Sequence, residues 1–519
     1  MPERHTINLR QHRMNRHTKL IIFFFCIIKL ALHLIADYHS GFQGDELLHI
    51  ETGKHLAWGY MEFPPLIGLL AFIQNLFHSN SVFVNHIFPH ISSIVILIFL
   101  AKTTIELGGK NKAVFLVLLA YIIAPSFGRS QQLFQPVVFS QLFWVLSFYA
   151  LLRFAKNLDK KSLWQLTFFC VLGFYSKYDA IFFIFGLTSL LFFQRTRIAL
   201  IQNKFWWHIL VFTICILPNI FWQVSNDYPV LQMFSRLYEK QLDSISRISN
   251  ITELLIAINP IVSLLFFLTG VYYLATPKNK SSFTQLAVSI ALAFTLLLFK
   301  NGKSYYFFPI VMTIIPFGGV FIEQNILINK KWLLYPITIL MLFGAVLIPF
   351  GMPVYSFNRY LTKIYTFETK KIEGGKYAVK YDEYYTNQKW QTTMKELKLV
   401  YDSLPANEKT NCLIWGKHYG QAGAVNLLGT QYYLPKAFSY HGSFYSWTPN
   451  GQIPETIIAL SYRVGDFFNP YFDEVKLIRT IYNPYADNEE ELYQRIYICK
   501  KPKQNFDRLK DFFKTRIFE

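Results

Sequence analysis

Charge is scarce in this chain. Only 16% of its 519 residues are charged, and 32 acidic residues face 51 basic ones, for a formal net charge of +19. A basic excess of this size raises nucleic acid as a partner. However, the Lys and Arg residues sit in short loops between apolar runs, without any groove-reading motif, and so read as topology signals. No nucleic acid is expected. Cysteine is equally sparse, with five in all. Cys26, Cys170 and Cys215 lie in apolar runs and read as packing residues. Cys412 and Cys499 share the C-terminal region and pair only if that region faces an oxidising compartment and brings them together. There is no internal repeat, no low-complexity linker and no G-x-G-x-x-G; the small residues of His418–Ala424 suit tight packing instead. The histidines are read as lacking H-x-x-x-H or comparable ligand spacing, so no histidine metal cluster is expected.

Long hydrophobic runs are what the chain has in abundance. Hydrophobic residues make up 52% of it, with 51 Phe and 32 Tyr, and such runs belong in lipid. Arg4, Arg10, Arg13, Arg16 and Lys19 precede the first run, Leu20 to Tyr38, and hold the N-terminus in the cytoplasm. No small-residue cleavage site follows, so this run reads as an uncleaved span. Further spans are expected near 85–101, 113–127, 136–152, 205–223, 254–275, 283–299, 305–322 and 332–350. Residues 162–193 would reach about 48 Å as one helix, too far for a ~30 Å hydrocarbon core. Ser176-Lys177-Tyr178-Asp179 interrupts them, so two short helices are expected, with Lys177 near their outer turn. Lys278-Asn279-Lys280 and Lys330-Lys331 mark cytoplasmic turns.

About eleven crossings from a cytoplasmic start place residues 351–519 outside. The expected fold is therefore mainly α: a polytopic transmembrane bundle over 1–350, with a first outer loop at 39–84, and a small extracytoplasmic α/β domain over 351–519. In that domain Asn387–Ser403 has helical spacing, and Cys412–Trp415, Ile457–Leu460, Val475–Ile481 and Arg495–Cys499 read as strands. Loop charges alone bring Asp45, Glu62, Lys177, Asp227 and Lys303 to the outer face.

Carboxylates at a water–lipid boundary call for a reason, and Asp45-Glu46 followed by Glu62 lie just beyond the first span. Leu47, Leu48, Ile50, Trp58 and Tyr60 suggest an interfacial amphipathic helix after the acidic pair. Asp45 is either the N-terminal cap of that helix or a general base within reach of an acceptor hydroxyl. Lys177 either pairs with Asp179 and snorkels or binds an anionic headgroup such as a lipid phosphate. Lys303 repeats this pattern. Tyr305 and Tyr306 beside it are aromatic-belt residues or phosphate contacts. Glu62 and Asp45 offer oxygen ligands to a divalent metal ion.

In order and facing, these segments resemble the family 39 glycosyltransferases, the protein-mannosyltransferase-like group of GT-C architecture. The resemblance rests on Gly44-Asp45-Glu46, Gly59-Tyr60, Pro64-Pro65, the run Gly173 to Tyr178, and the run Leu217 to Gln223. Lys303, Tyr305, Tyr306 and Pro309 continue it, and Tyr419 to Ala424, Leu434-Pro435 and Ser439 resemble the tail of bacterial members. It implies a GT-C bundle that transfers a sugar from a polyprenyl-phosphate donor, with inversion, on the outer face of an inner membrane. The acceptor would be a glycan, lipid or protein, through a hydroxyl or phosphate.

By the same resemblance Asp45 is the base, with Glu46 beside it in the catalytic pair. Lys177, Lys303, Tyr305 and Tyr306 contact the donor, along with Arg129 and Gln135, the latter standing where relatives carry a second-loop aspartate. Glu62-Phe63-Pro64 is similar to the Glu-Lys-Pro segment of the lipid A aminoarabinose transferases, whose glutamate helps bind a metal; here Phe63 replaces the lysine. The competing reading is a transporter or flippase for a lipid-linked sugar. Transporters place ionisable groups near the midplane and often show repeats, whereas these charges gather at one face.

Overall fold

The computed structural model describes residues 15–239, 246–276, 281–300, 302–363, 370–372, 376–378, 383–462, 465–483, 485–486 and 489–518. Arg4, Arg10, Arg13 and Lys278-Asn279-Lys280, read above as topology signals, lie outside them.

The first helix, α1 (Arg16–His39), starts where the Asn15 side chain accepts from the Thr18 N–H at 2.7 Å. Phe23, Phe24 and Ile27 on its outer side stay more than half exposed. In water such a stripe would be costly; in lipid it is solvated. Residues 39–84 hold three short helices, α2 (Gly44–Thr52), α3 (Leu66–Asn75) and α4 (Val82–Asn85). Then come α5 (Ile87–Glu106), α6 (Asn111–Ile122), α7 (Pro125–Gln132), α8 (Pro136–Asn157) and α9 (Lys160–Ser176). Pro125 and Pro136 each open a helix, where a missing N–H costs nothing.

Among the described residues six helices are long and apolar enough to cross a bilayer, or nine if each bent pair makes one span. They include 205–225, 304–326 and 331–350 and make this a multi-pass membrane protein. Two crossings read as continuous are broken. The 113–127 run bends by 66° between α6 and α7, and the 254–275 run by 100° between Arg247–Ala257 and Pro260–Ala275. At the second break Pro260 cannot donate to the preceding turn. Asn259 there adopts φ +82°, and its amide donates to the carbonyls of Ile123 and Gly344. The 162–193 run divides as expected, with Lys177 as the C-cap of α9.

The 304–326 helix forms the axis of the bundle, buried along nearly its whole length from Phe307 to Val320. Small residues let neighbours approach its backbone closely. A Cβ on Gly318 would lie 2.1 Å from the Phe266 carbonyl oxygen, and one on Gly319 2.3 Å from Val117.

In the C-terminal region β1 (Lys370–Ile372) and β2 (Lys376–Ala378) form a short hairpin. After the helix Glu383–Asp402 comes a five-stranded sheet of β3 (Leu413–Gly416), β4 (Ala437–Phe438), β5 (Thr456–Ser461), β6 (Phe472–Tyr482) and β7 (Tyr493–Pro502). Its order is β4-β3-β5-β7-β6, with β3 parallel to both β4 and β5, and the remaining pairs antiparallel. The four strands read from the sequence are all present; the hairpin and the two-residue β4 are additions. Cys412 and Cys499 do not pair. Leu413 and Cys499 flank the same β5 residue, Ile457, so two strand spacings of about 4.8 Å separate the columns, beyond disulfide reach. Both thiols are free and buried.

Candidate active site

Helix α2 presents the acidic pair, and its two carboxylates have different environments. Gln43 is the N-cap, and Glu46 closes a capping box by accepting from the Gln43 N–H at 2.8 Å. The other Glu46 oxygen accepts from the Phe134 N–H at 2.7 Å and meets His86 Nε2 at 2.7 Å. Glu46 is fully buried. Both of its oxygens are engaged by groups of the fold, which gives it a structural task beside the catalytic pair expected from the sequence. Capping by Gln43 and Glu46 leaves Asp45 exposed on the first turn, where it accepts from the Tyr419 hydroxyl at 2.6 Å. Asp45 is thus not the cap.

Nor is α2 an interfacial helix. Leu47, Leu48 and Ile50 are buried beneath the helix Tyr419–Leu428. A Cβ on Gly423 would lie 2.8 Å from Leu47, and one on Gly420 3.1 Å from Gly44. The glycines of this helix therefore serve close packing. They bring Tyr419 over Asp45, and His441 stacks on the Tyr419 ring with centroids 4.7 Å apart. Burial and then the Asp45 charge hold the Tyr419 hydroxyl well above its ordinary pKa, so it stays a donor. His418 caps the helix through Nδ1 to the Gly420 N–H at 3.1 Å, and burial lowers its pKa to about 4.

Glu62 reaches the same domain. One of its oxygens accepts from the Ser443 N–H at 2.8 Å and the other from the Ser443 hydroxyl. Burial, chiefly, pushes its carboxyl up to about 7. Both oxygens are held by Ser443 donors, so a divalent ion at Glu62 would have to displace them.

The cations close the site from the bundle side. Lys177 donates to Asp179 at 2.9 Å and lies 3.8 Å from the Tyr306 ring centroid and 5.3 Å from that of Tyr305. It combines its two readings, paired yet packed on aromatic faces. Lys303 stands before the turn that opens the 304–326 helix. Burial lowers its pKa, Tyr306 and Asp45 raise it, and Lys177 lowers it further. Each of these groups is therefore close enough to act on the Lys303 ammonium. Asp45, Lys177, Lys303, Tyr305 and Tyr306 come together at one end of the bundle.

Gln135 joins them by donating to the Gln43 side chain, and Arg129 sits partly buried on α7. Asp227 meets Lys514 of the C-terminal region at 3.2 Å. Sequence reasoning named Tyr419 only within a motif and gave it no role, and it missed Ser443. These two residues lie 374 and 381 positions from their partners, and no local pattern links them. Tyr178 was quoted only within a motif; it donates to Asn219 at 3.1 Å and accepts from Gln223 at 3.0 Å, tying the turn after α9 to the 205–225 helix.

Fold and site together define a multi-pass helical bundle with a polar centre at one end, capped by a small α/β domain. Residues 63–222 match the sequence profile of the family described as dolichyl-phosphate-mannose-protein mannosyltransferase. The fold is similar to that of the crystal structure of ArnT from Cupriavidus metallidurans bound to undecaprenyl phosphate. The TM-score is 0.59 at 11% identity over 92% of this chain and 97% of that one. The apo state of the same protein gives 0.57 at 10% identity, over 92% and 98%. No curated protein sequence matches. The profile match is to the mannosyltransferase group that the motifs resemble, and it spans less than half of the chain.

Proposed function

We propose that this protein is a membrane glycosyltransferase that moves a sugar from a polyprenyl-phosphate donor to an acceptor hydroxyl or phosphate on the outer, periplasmic face of an inner membrane. The observation that carries this reading is the meeting of Asp45 with Lys303, Lys177 and Tyr306 at one end of a fold shared with a protein crystallised with undecaprenyl phosphate.

Asp45 is the base. Tyr419 engages one Asp45 oxygen, and the other is assigned to the acceptor hydroxyl. The acceptor oxygen attacks the anomeric carbon from the face opposite the phosphate as its proton passes to Asp45. The bond from that carbon to the phosphate oxygen breaks, and the polyprenyl phosphate leaves with the electron pair. One displacement inverts the anomeric centre. Lys177 and Lys303, with the Tyr305 and Tyr306 hydroxyls, stabilise the charge gathering on the leaving phosphate, a term commonly worth a few kcal/mol per contact. Tyr419 orients Asp45 from the C-terminal domain, so that domain is part of the site.

The test is a radiolabelled lipid-linked sugar supplied to the purified protein in vesicles with candidate acceptors. Transfer that falls by at least roughly a hundredfold in Asp45→Asn, the scale of a positioned base, supports the assignment. Movement of the lipid across the vesicle without transfer would support the transporter reading, and near-normal transfer by Asp45→Asn would remove the base.

A further inference from the structure

Beneath the site lies a second polar centre that the proposed reaction does not use. His33 and Asp37 sit one turn apart near the outer end of α1, and His86 and His90 one turn apart at the start of α5. Each i, i+4 pair shares a helix face, and the faces meet. All four side chains are buried, at 0%, 7%, 0% and 4% exposure. His86 Nδ1 is 2.7 Å from Asp37 Oδ1, and His90 Nε2 is 3.1 Å from Asp37 Oδ2. One ligand atom each from Asp37, His86 and His90 lies within 4.8 Å of the others. The His33 and His90 ring centroids are 5.2 Å apart.

Hydrogen bonding leaves this cluster with lone pairs to spare. His33 Nε2 is buried without a hydrogen-bond partner, and Asp37 Oδ2 and His90 Nε2, although 3.1 Å apart, do not meet in hydrogen-bond geometry. Burying poorly bonded polar atoms is costly, so their convergence here needs a reason. The outer contacts are those of metal-ligating groups. His86 places Nε2 at 2.7 Å from the Glu46 carboxylate, which leaves Nδ1 facing the cluster. His33 Nδ1 lies 2.6 Å from Gln132 Oε1, which leaves Nε2. The Gln132 amide also donates to Asp37 Oδ1. A histidine whose second nitrogen donates to a carboxylate or amide oxygen is the usual arrangement around a metal.

We propose that Asp37, His86 and His90, with His33 as fourth ligand, form a binding site for a divalent transition-metal ion, zinc being the best fit. Three imidazoles and one carboxylate without sulfur suit a borderline ion in tetrahedral geometry. Donors about 2.0–2.2 Å from zinc stand slightly further apart than the hydrogen-bonded His86–Asp37 pair at 2.7 Å, so that pair would open a little around the ion. The ion would balance the buried charges of Asp37 and Glu46. The nearby Lys29 ammonium lies over the Tyr121 ring at 4.9 Å. The site joins α1 to α5 and, through Glu46, fastens the first turn of α2 that carries Asp45. Its role is a positioning one, holding the first outer loop at the bundle. It is separate from Glu62, whose oxygens face Ser443.

The experiment measures metal by mass spectrometry on the full chain, expressed with zinc, purified in detergent and desalted. About one zinc ion per chain is expected for a structural site. His90→Ala and Asp37→Asn should lose it, while Asp45→Asn and Glu62→Gln keep it. Glu46→Gln should bind roughly 10–100-fold more weakly, the usual effect of removing an outer-shell partner. Metal-free wild type that also takes up no added zinc would overturn the proposal, as would loss of zinc in Glu62→Gln with retention in His90→Ala. If the ligand variants fail to give a monodisperse protein, X-ray absorption on the wild type decides. Imidazole scattering in the zinc shell supports the site, and a shell without imidazole refutes it.

Discussion

Replacing Glu62 by Gln should make the protein more stable at neutral and alkaline pH, and the structure gives the size. Glu62 accepts twice from Ser443, but burial dominates and raises its pKa from 4.5 to about 7, with the Asp45 charge adding to the rise. The folded state then holds this proton more tightly than the unfolded chain does. The stability so gained is complete below pH 4.5, declines between 4.5 and about 7, and is absent above. At 1.36 kcal/mol per pH unit the full excursion is about 3 kcal/mol by linkage. Glutamine has the same shape and is neutral throughout, so it keeps the low-pH state at every pH. Thermal scans of both proteins in one detergent should nearly coincide at pH 4.5 and separate with rising pH. The variant should be higher by about 6–12 °C at pH 8, given roughly 2–4 °C per kcal/mol in sizeable domains. Parallel curves, or a variant that is less stable at pH 8, would refute the reasoning. In an Asp45→Asn background the separation should shrink, because one cause of the raised pKa is gone.

Gly442 sits at φ +59°, where a Cβ would stand 2.2 Å from Glu62 Oε1. Gly442→Ala should therefore lower the melting temperature by the left-handed backbone cost of about 1–2 kcal/mol plus displacement of Glu62; in a Glu62→Ala background only the backbone part should remain. Lys177→Met should reduce turnover by roughly 10²–10³-fold if it stabilises the leaving phosphate. Adding Asp179→Asn should restore stability by removing an unpaired buried carboxylate without restoring turnover; recovery of activity would show that Lys177 only pairs. Burial raises the thiols of Cys412 and Cys499 to about 11 and about 12. Iodoacetamide at pH 8 should label both only after denaturation, without reductant, and any requirement for reductant would contradict two free cysteines.

Much of this site was legible before any coordinates. Lys177 was placed at the break of an over-long apolar run because a single helix there overshoots the bilayer. Asp45 and Lys303 are brought to one face by the alternation of basic loops, and Tyr306 follows from its place three residues after Lys303. His86 and His90 also carry a local signal, an H-x-x-x-H spacing at the entry of an apolar run, which the reading of the histidines overlooked. The bends at Asn259–Pro260 and Ala124–Pro125 were underestimated, although each carries its proline. The partnership of Glu46 with His86, the Tyr419 hydroxyl on Asp45 and the Ser443 clamp on Glu62 had no sequence trace. Nor did the separation of Cys412 from Cys499 by β5.

What the order of residues determined by itself is everything that depends on local energetics. Apolar length against bilayer thickness sets where helices cross, loop charge sets which end carries the polar groups, and alternation sets the strands of the cap. Only the folded chain decided what each polar group does there. Asp45 and Glu46 are neighbours in sequence with the same chemistry, yet one is exposed beneath a tyrosine and the other is sealed against a histidine. That division follows from contacts made by residues 40 to more than 370 positions away, and pattern along the chain carries no energy term for such partners.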